Sequence, residues 1–317
     1  MMKCSENIVG DLLRLRQENQ STALVTLINN RGSAPRPLGS QMAVAEDGRY
    51  AGYLTGGCAE SVIVSEAIAA MKEGANRTLL LGAGSPYMDI RLPCGAAIEL
   101  HIDVGITDSM ALGVAESLAA RVPLALDTEL DGRRHHWVTS PNQPLAGNAF
   151  RRWYLPPRRL LIAGKGPNTP ALARIAAASD YEVVVMSPDS STLDACSGEG
   201  IEIRRLEHPR VFDCPPTDPW TAAVLLFHEH EWESRILATL LKSECFYLGA
   251  LGSRKTHDQR IEQLLDMGFK EAVSNIHGPV GLDINAKTPA EIAISILAEM
   301  TSAYRSSAQP IFQHSRG

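Results

Sequence analysis

The sequence predicts an α/β protein in two parts, an N-terminal mixed α/β domain followed by a Rossmann-like domain with a doubly wound parallel sheet. Three observations lead there. After residue 159, short apolar runs alternate with helical stretches, as in successive βαβ units. The first of these runs, residues 159–163 (RLLIA), opens into Gly164-Lys165-Gly166, a glycine turn of the phosphate-binding kind at the head of a helix. Before residue 139, β-branched and alternating runs surround an Asp47-Gly48 hairpin signal and are separated by amphipathic helices.

In chain order, residues 5–20 carry Ile8, Leu12 and Leu15 at helical spacing, with Ser5 as a capping residue. Residues 22–29 (TALVTLIN) read as a buried strand. The turn from Arg31 to Ser40 (RGSAPRPLGS) has two prolines and two glycines, so it has little freedom to lose on folding. Arg36 projects from it. It reads equally as a surface ion pair and as a guanidinium held to grip phosphate. Strands over 41–45 and 50–54 flank the Asp-Gly hairpin. The motif TGGCAES (55–61) then opens a helix over 59–71. Gly56 and Gly57 let the backbone approach another group closely. The helix start offers free N–H groups and a positive dipole end, a setting that binds anions and lowers a thiol pKa, here that of Cys58. A small buried cysteine at a strand–turn–helix junction is the structural alternative.

A strand over 79–83 breaks at Gly84-Ser85-Pro86. Cys94 lies in a second turn of small residues, with the same two readings, before the alternating strand 98–104. A helix over 110–121 and a strand over 122–127 follow. Residues 139–158 are dominated by Pro, Gly and Asn and are assigned as the linker.

Beyond the linker, the Gly164–Gly166 turn leads into a helix over 170–179 and a strand over 181–186. The third glycine of a dinucleotide fingerprint is replaced by Thr169. The strand ends in Ser187 rather than an acid, with Asp189 two residues later. The turn therefore supports the fold more strongly than it supports NAD. The strand 221–227 delivers His228-Glu229-His230 at its carboxyl end, where open α/β sheets bind ligands. His-x-His alternates faces on a strand, so both join one metal only from a loop. Shaping a pocket or capping the next helix is the other reading. Leu251-Gly252-Ser253-Arg254-Lys255 is a second strand–glycine–helix junction. It suits phosphate or is an exposed basic helix start. The stretch 276–284 is rigid and glycine-rich. Thr288-Pro289-Ala290-Glu291 then starts a last helix like a capping box, and the tail from residue 306 is expected to be loose.

Composition narrows the function classes. The 317 residues are 44% hydrophobic with a net charge of −6, enough to build real cores and opposed to a nucleic-acid footprint. The six cysteines (Cys4, Cys58, Cys94, Cys196, Cys214, Cys245) form no CxxC pair, so neither a zinc ribbon nor a disulfide framework is indicated. The opening MMKCSENIVGDLLRLRQ is too polar for a secretory segment, and no apolar run is long enough to span a bilayer. The expectation is a soluble cytoplasmic protein without nucleic-acid or membrane partners.

Taken together and in order, GSAPRPLGSQM, TGGCAES, PCGAAIEL, PPRRLLIAGKGP, FHEHEWE, FYLGALGSRK and HGPVGLDINAKTPAEIAISILAEM resemble the XdhC/CoxI family, the accessory proteins of xanthine dehydrogenase and related molybdenum hydroxylases. The resemblance runs from about residue 10 to about residue 303. It implies a non-catalytic chaperone that binds the molybdenum cofactor, holds it while a cysteine desulfurase supplies the terminal sulfur, and passes it to an apo-hydroxylase. The cofactor is expected in its cytosine dinucleotide form, and a homodimer is plausible. The implied domains are 1–138, the linker 139–158, the Rossmann-like 159–305 and a tail 306–317. Such a ligand needs glycine-rich helix starts and fixed cations. The first half offers Arg36, Gly56 and Gly57, with Gly39 and Glu60 from the same motifs and with Cys58 and Cys94 as thiols beside a molybdenum–sulfur centre. The second offers Gly164, Gly166, Gly252, Ser253 and Arg254. No resident metal and no catalytic residue are expected. The chain departs from the family pattern at Thr55, Pro167, Phe227 and Ser187-Pro188-Asp189. These departures point to a different cofactor form or to binding that leans on the first domain. The rival readings are a nicotinamide-dependent oxidoreductase, a metal-dependent hydrolase and a scaffold without cofactor.

Overall fold

The computed structural model describes residues 8–18, 20–57, 59–87, 96–145, 147–209, 211–227, 230–270, 272–307, 312 and 314–316. The chain divides into two units, Met1–Pro156 with Phe312–Gly317, and Pro157–Ile311.

The first unit holds α1 (Val9–Gln17), β1 (Thr22–Arg31), β2 (Gln41–Ala45), β3 (Tyr50–Ala51), α2 (Glu60–Glu73), β4 (Arg77–Gly82), β5 (Ala97–Asp103), α3 (Asp108–Ala119), β6 (Leu124–Glu129), β7 (His135–Val138) and β8 (Ala149–Tyr154). Five strands form an antiparallel sheet in the order β3-β2-β1-β5-β4. Strand β1 is buried on both faces, which explains its uninterrupted apolar sequence. Ala23, Val25 and Leu27 pack with Ile63, Ala67 and Ala70 of α2, while Leu24 on the opposite face packs with Leu12 of α1 and Val114 of α3. A second antiparallel sheet contains β7, β6 and β8, and β8 also pairs with a short last strand at Ser315–Arg316.

This second sheet corrects two expectations. Residues 149–154, read as linker, form a wholly buried strand. Its two arginines hide it in the sequence. Arg151 is held by the cross-strand carboxylate of Asp127, with Nε and Nη2 each 2.7 Å from a carboxylate oxygen, and the Arg152 guanidinium lies 4.5 Å from the centre of the Tyr154 ring. The unit boundary falls instead between Pro156 and Pro157. The tail is also anchored. Phe312 meets Trp153 edge-on at 4.9 Å, Nδ1 of His314 accepts the Trp153 N–H at 3.1 Å, and Arg316 pairs with Glu99.

The second unit carries β9 (Arg159–Gly164), α4 (Asn168–Ala178), β10 (Glu182–Ser187), α5 (Ser190–Cys196), β11 (Ile201–Arg205), β12 (Thr221–Leu226), α6 (His230–Leu240), β13 (Tyr247–Ala250), α7 (Arg254–Asp266), β14 (Ile276–His277) and α8 (Pro289–Ser307). All strand pairs are parallel in the order β11-β10-β9-β12-β13-β14. Counted within the unit this is 3-2-1-4-5-6, the Rossmann order, with its reversal between β9 and β12. Helices α4, α5 and α8 cover one face, with Leu172, Leu193 and Ile296 on Ile162, Val185 and Val224. Helices α6 and α7 cover the other through Leu237 and Leu264. Parallel strands sandwiched this way must be apolar throughout, as TAAVLL of β12 is. Among the described residues no helix is long and apolar enough to cross a membrane.

Candidate functional site

In the first unit the turn between β1 and β2 and the loop before α2 come together through Tyr53. The Arg36 guanidinium stacks on the Tyr53 ring, 4.7 Å from its centre, and Nη1 donates to the phenolic oxygen at 3.3 Å. Its Nε is shielded from solvent and has no hydrogen-bond partner among the described residues. Gly39 corrects an expectation. It has φ +79°, its N–H returns to the Leu27 carbonyl at 2.8 Å, and an added Cβ would stand 2.5 Å from the His314 ring. It closes the turn and seats the carboxyl-terminal segment, so it faces the protein rather than a ligand.

Glu60 is the centre of the next loop. It is 5% exposed. One carboxylate oxygen accepts from the N–H groups of Leu54 (3.1 Å), Thr55 (2.8 Å) and Gly56 (3.1 Å). The other accepts from Gly57 N–H (2.8 Å), Ala59 N–H (3.3 Å) and the Thr55 hydroxyl (2.6 Å), which itself accepts the Ala59 N–H at 3.0 Å. Burial pushes this carboxyl's pKa up, but the Thr55 hydroxyl and the backbone donors outweigh it and hold Glu60 below the usual carboxylate range. The anion nest expected of this glycine pair is therefore filled by the first residue of the helix itself. Glu60 is a loop-holding acid and the donors are engaged, which corrects its assignment as a ligand contact. Gly56 (φ +77°) and Gly57 (φ +105°) keep their Cα faces open, with nothing within 4 Å of an added Cβ. Cys58 stands between two residues whose N–H groups reach one carboxylate oxygen, but Cys58 itself, like Cys94, lies outside the described residues.

In the second unit the turn after β9 has a similar economy. A Cβ on Gly164 would come within 2.7 Å of both Leu226 Cβ and Thr169 Oγ1, so this glycine permits close strand-to-helix packing. Thr169 fills the place of the third glycine and is fully buried. The Gly166 N–H donates to Thr192 Oγ1 at 3.0 Å, and that hydroxyl donates to Asp189 at 2.5 Å. Asp189 caps α5 through the Thr192 N–H at 2.8 Å; the bonds from Thr192 and Ser191 lower its pKa to about 2. Ser187, fully buried, ends β10 in place of an acid, and Asp189 two residues later spends its Oδ2 on the cap of α5. Ser253, read as a ligand contact, is the N-cap of α7, accepting the Thr256 N–H at 3.2 Å. Gly252 has φ +147° and packs against Thr256, and Arg254 is exposed. Behind this turn Arg260 and Glu233 form a buried pair at 2.7 Å. His228 lies outside the described residues, as does the side chain of His230. Among the described residues no group of three or more His, Cys, Asp or Glu side chains could hold a metal.

Comparison with known proteins decides the family. The XdhC Rossmann domain matches residues 160–300, and the XdhC and CoxI family description matches residues 15–82. The molybdenum cofactor insertion chaperone PaoD of Escherichia coli is 34% identical over 89% of this chain and 83% of its own length. The chain belongs to the XdhC/CoxI family. A Bacillus subtilis protein, named as a probable subunit of xanthine dehydrogenase, is 26% identical over 90% of this chain and 94% of its own. A crystal structure described as a xanthine dehydrogenase from Bacillus halodurans shares the fold, with a TM-score of 0.74 over 95% of this chain and 96% of that one, at 24% identity.

The XdhC and CoxI segment contains Arg36, Gly39, Gly56, Gly57, Cys58 and Glu60. The XdhC Rossmann segment contains Gly164, Gly166, Gly252, Ser253 and Arg254, and Cys94 falls in neither. What sequence reasoning missed are Tyr53, the platform under Arg36, and a carboxylate–histidine pair, Glu299 with His277 at 3.2 Å. An aromatic two residues before a Thr-Gly-Gly turn is a signal for the first. The second joins positions 22 residues apart and has no local signal.

Proposed function

We propose that this XdhC/CoxI protein is a molybdenum cofactor-binding chaperone that delivers its cargo to a molybdenum hydroxylase. The observation that carries the reading is the Arg36 guanidinium. It is fixed over the Tyr53 ring, 4.7 Å from its centre, and Tyr53 directly precedes the loop that contains Cys58. A planar cation fixed in this way suits a phosphate oxygen. The open faces of Gly56 and Gly57 leave room for a bulky pterin to approach. The likeness to PaoD supports the same reading.

In finer detail, the cargo is the cytosine dinucleotide form, and Cys58 is the thiol beside the molybdenum–sulfur centre, with Cys94 second. The protein shields the cargo while a cysteine desulfurase adds the terminal sulfur. It then hands the cargo to a xanthine dehydrogenase or aldehyde oxidoreductase in the cytoplasm, and it works as a homodimer. Arg36 grips the pyrophosphate. A nicotinamide enzyme is less well supported, because β10 ends in Ser187 rather than an acid and Asp189 beyond it caps α5.

The test is a count of oxidised, fluorescent pterin and released CMP per chain, after expression with cofactor synthesis intact. Near-stoichiometric pterin with CMP is expected. Pterin without CMP would replace the dinucleotide form by the simple one. No pterin, where a control carrier retains it, would overturn the reading.

A further inference from the structure

Strand β11 (IEIRR) is the edge of the parallel sheet at the end opposite β14. The phase of its ladder with β10 is marked by the Leu206 N–H, which donates to the Ser187 carbonyl at 3.0 Å. Backbone groups alternate sides along a strand, so Glu202 and Arg204 turn theirs to β10, while Ile203 and Arg205 turn theirs outward. Among the described residues the outward N–H and C=O groups of Ile203 and Arg205 have no hydrogen-bond partner. Side chains alternate as well. Glu202 and Arg204 share one face, with Arg204 Nε 2.7 Å from Glu202 Oε1 and both side chains well exposed. Ile201, Ile203 and Arg205 lie on the face of α5, where Arg205 donates to the Ser190 hydroxyl at 2.7 Å and Ile201 packs against the core. Ile203, between them, is 43% exposed.

Charges of one sign on an edge strand repel a second copy of it. On β11 the two charges that flank Ile203 are of opposite sign, so the strand is complementary to itself. When a second copy runs antiparallel with the two Ile203 residues opposite each other, Glu202 of each copy faces Arg204 of the other. The Ile203 pair is then joined by its outward N–H and C=O groups, and the Arg205 N–H of each copy meets the Ile201 carbonyl of the other. The two Glu–Arg positions become the non-hydrogen-bonded pairs, where side chains of opposite strands come closest. The other edge strands among the described residues, β3 (YA), β4 (RTLLLG), β7 (HHWV), β14 (IH) and the last strand (SR), carry no acid and have no such pattern.

We propose that β11 is the surface through which two copies of this chain associate, antiparallel about a two-fold axis at Ile203, so that their six-stranded sheets become one continuous sheet. The inference deepens the chaperone reading, on which it rests only for the homodimer and not for the cargo.

The experiment follows sedimentation velocity of the full chain over a range of concentrations in the wild type, E202R, R204E and the exchanged pair E202R/R204E, with the melting temperature as the control for folding. The wild type is expected to dimerise. Each single variant sets like charges opposite each other twice across the axis and should raise the dimer dissociation constant at least about tenfold. The exchanged pair should recover the wild-type constant. An equimolar mixture of E202R and R204E should dimerise at concentrations where neither does so alone. Single variants that dimerise as the wild type does, or an exchanged pair as weak as either single variant, would overturn the interface and leave the homodimer to another surface. A wild type that stays monomeric would overturn both the interface and the homodimer. Loss of pterin with the dimer pattern intact would sink the cargo reading and leave this one standing.

Discussion

The helix starts at α2 and α4 look alike in sequence, each a glycine turn that follows a strand-like run, yet their N–H groups go to different places. Before α2 a buried carboxylate from inside the helix, Glu60, gathers the N–H groups of Leu54, Thr55, Gly56, Gly57 and Ala59. Before α4 a single hydroxyl, Thr192 Oγ1 from α5, accepts the Gly166 N–H and donates its own hydrogen bond to Asp189. A glycine-rich helix start is thus an anion site only to the extent that its donors are not already engaged. Around the first turn, among the described residues, the group left with capacity is Arg36.

The sharpest way to break this comparison is to remove each acceptor. Glu60→Ala strands several buried N–H groups at once, and about 3–5 kcal/mol of the first unit's stability should be lost, a fall in melting temperature of roughly 10 °C. Thr192→Val leaves only the Gly166 N–H and the Asp189 carboxylate short of one partner and should cost the second unit about 1–2 kcal/mol. Equal losses by urea denaturation would mean that the two turns are held alike.

A smaller effect concerns the segment that Gly39 seats. Burial, with the Arg152 charge nearby, lowers the His314 pKa to about 3. A histidine held neutral when folded binds fewer protons than it does unfolded. Its contribution is therefore complete above about pH 6.5 and declines as the pH falls towards 3. Amide exchange at residues 314–316, corrected for the intrinsic rate, should be faster at pH 5 than at pH 7.5. His314→Phe should flatten that difference.

The parallel sheet was readable because both of its faces are covered, so strands such as TAAVLL show as plain apolar runs between glycine turns. Strand β8 was not, because its arginines signal exposure until Asp127 and Tyr154 are seen beside them. The carboxyl-terminal strand was hidden for a different reason, since its partner is more than 150 positions away. At the candidate site Arg36 and the glycine pair were legible from local chemistry. The engagement of Glu60 was not, because one acid after a Gly-Gly-Cys turn looks the same in sequence whether it faces solvent or folds back onto the turn. Ser253 and Asp189 were likewise visible as residues near glycine turns, while their capping roles depend on the helices they start.

The central claim is that Arg36 holds the cargo while Glu60 holds the loop. The measurement that tests it most directly is retained pterin per chain in Arg36→Ala beside the wild type, with the melting temperature of both. The account predicts at least about a tenfold fall in pterin with the melting temperature unchanged, because among the described residues Arg36 makes one hydrogen bond and one ring contact. Full retention of pterin by Arg36→Ala would contradict it.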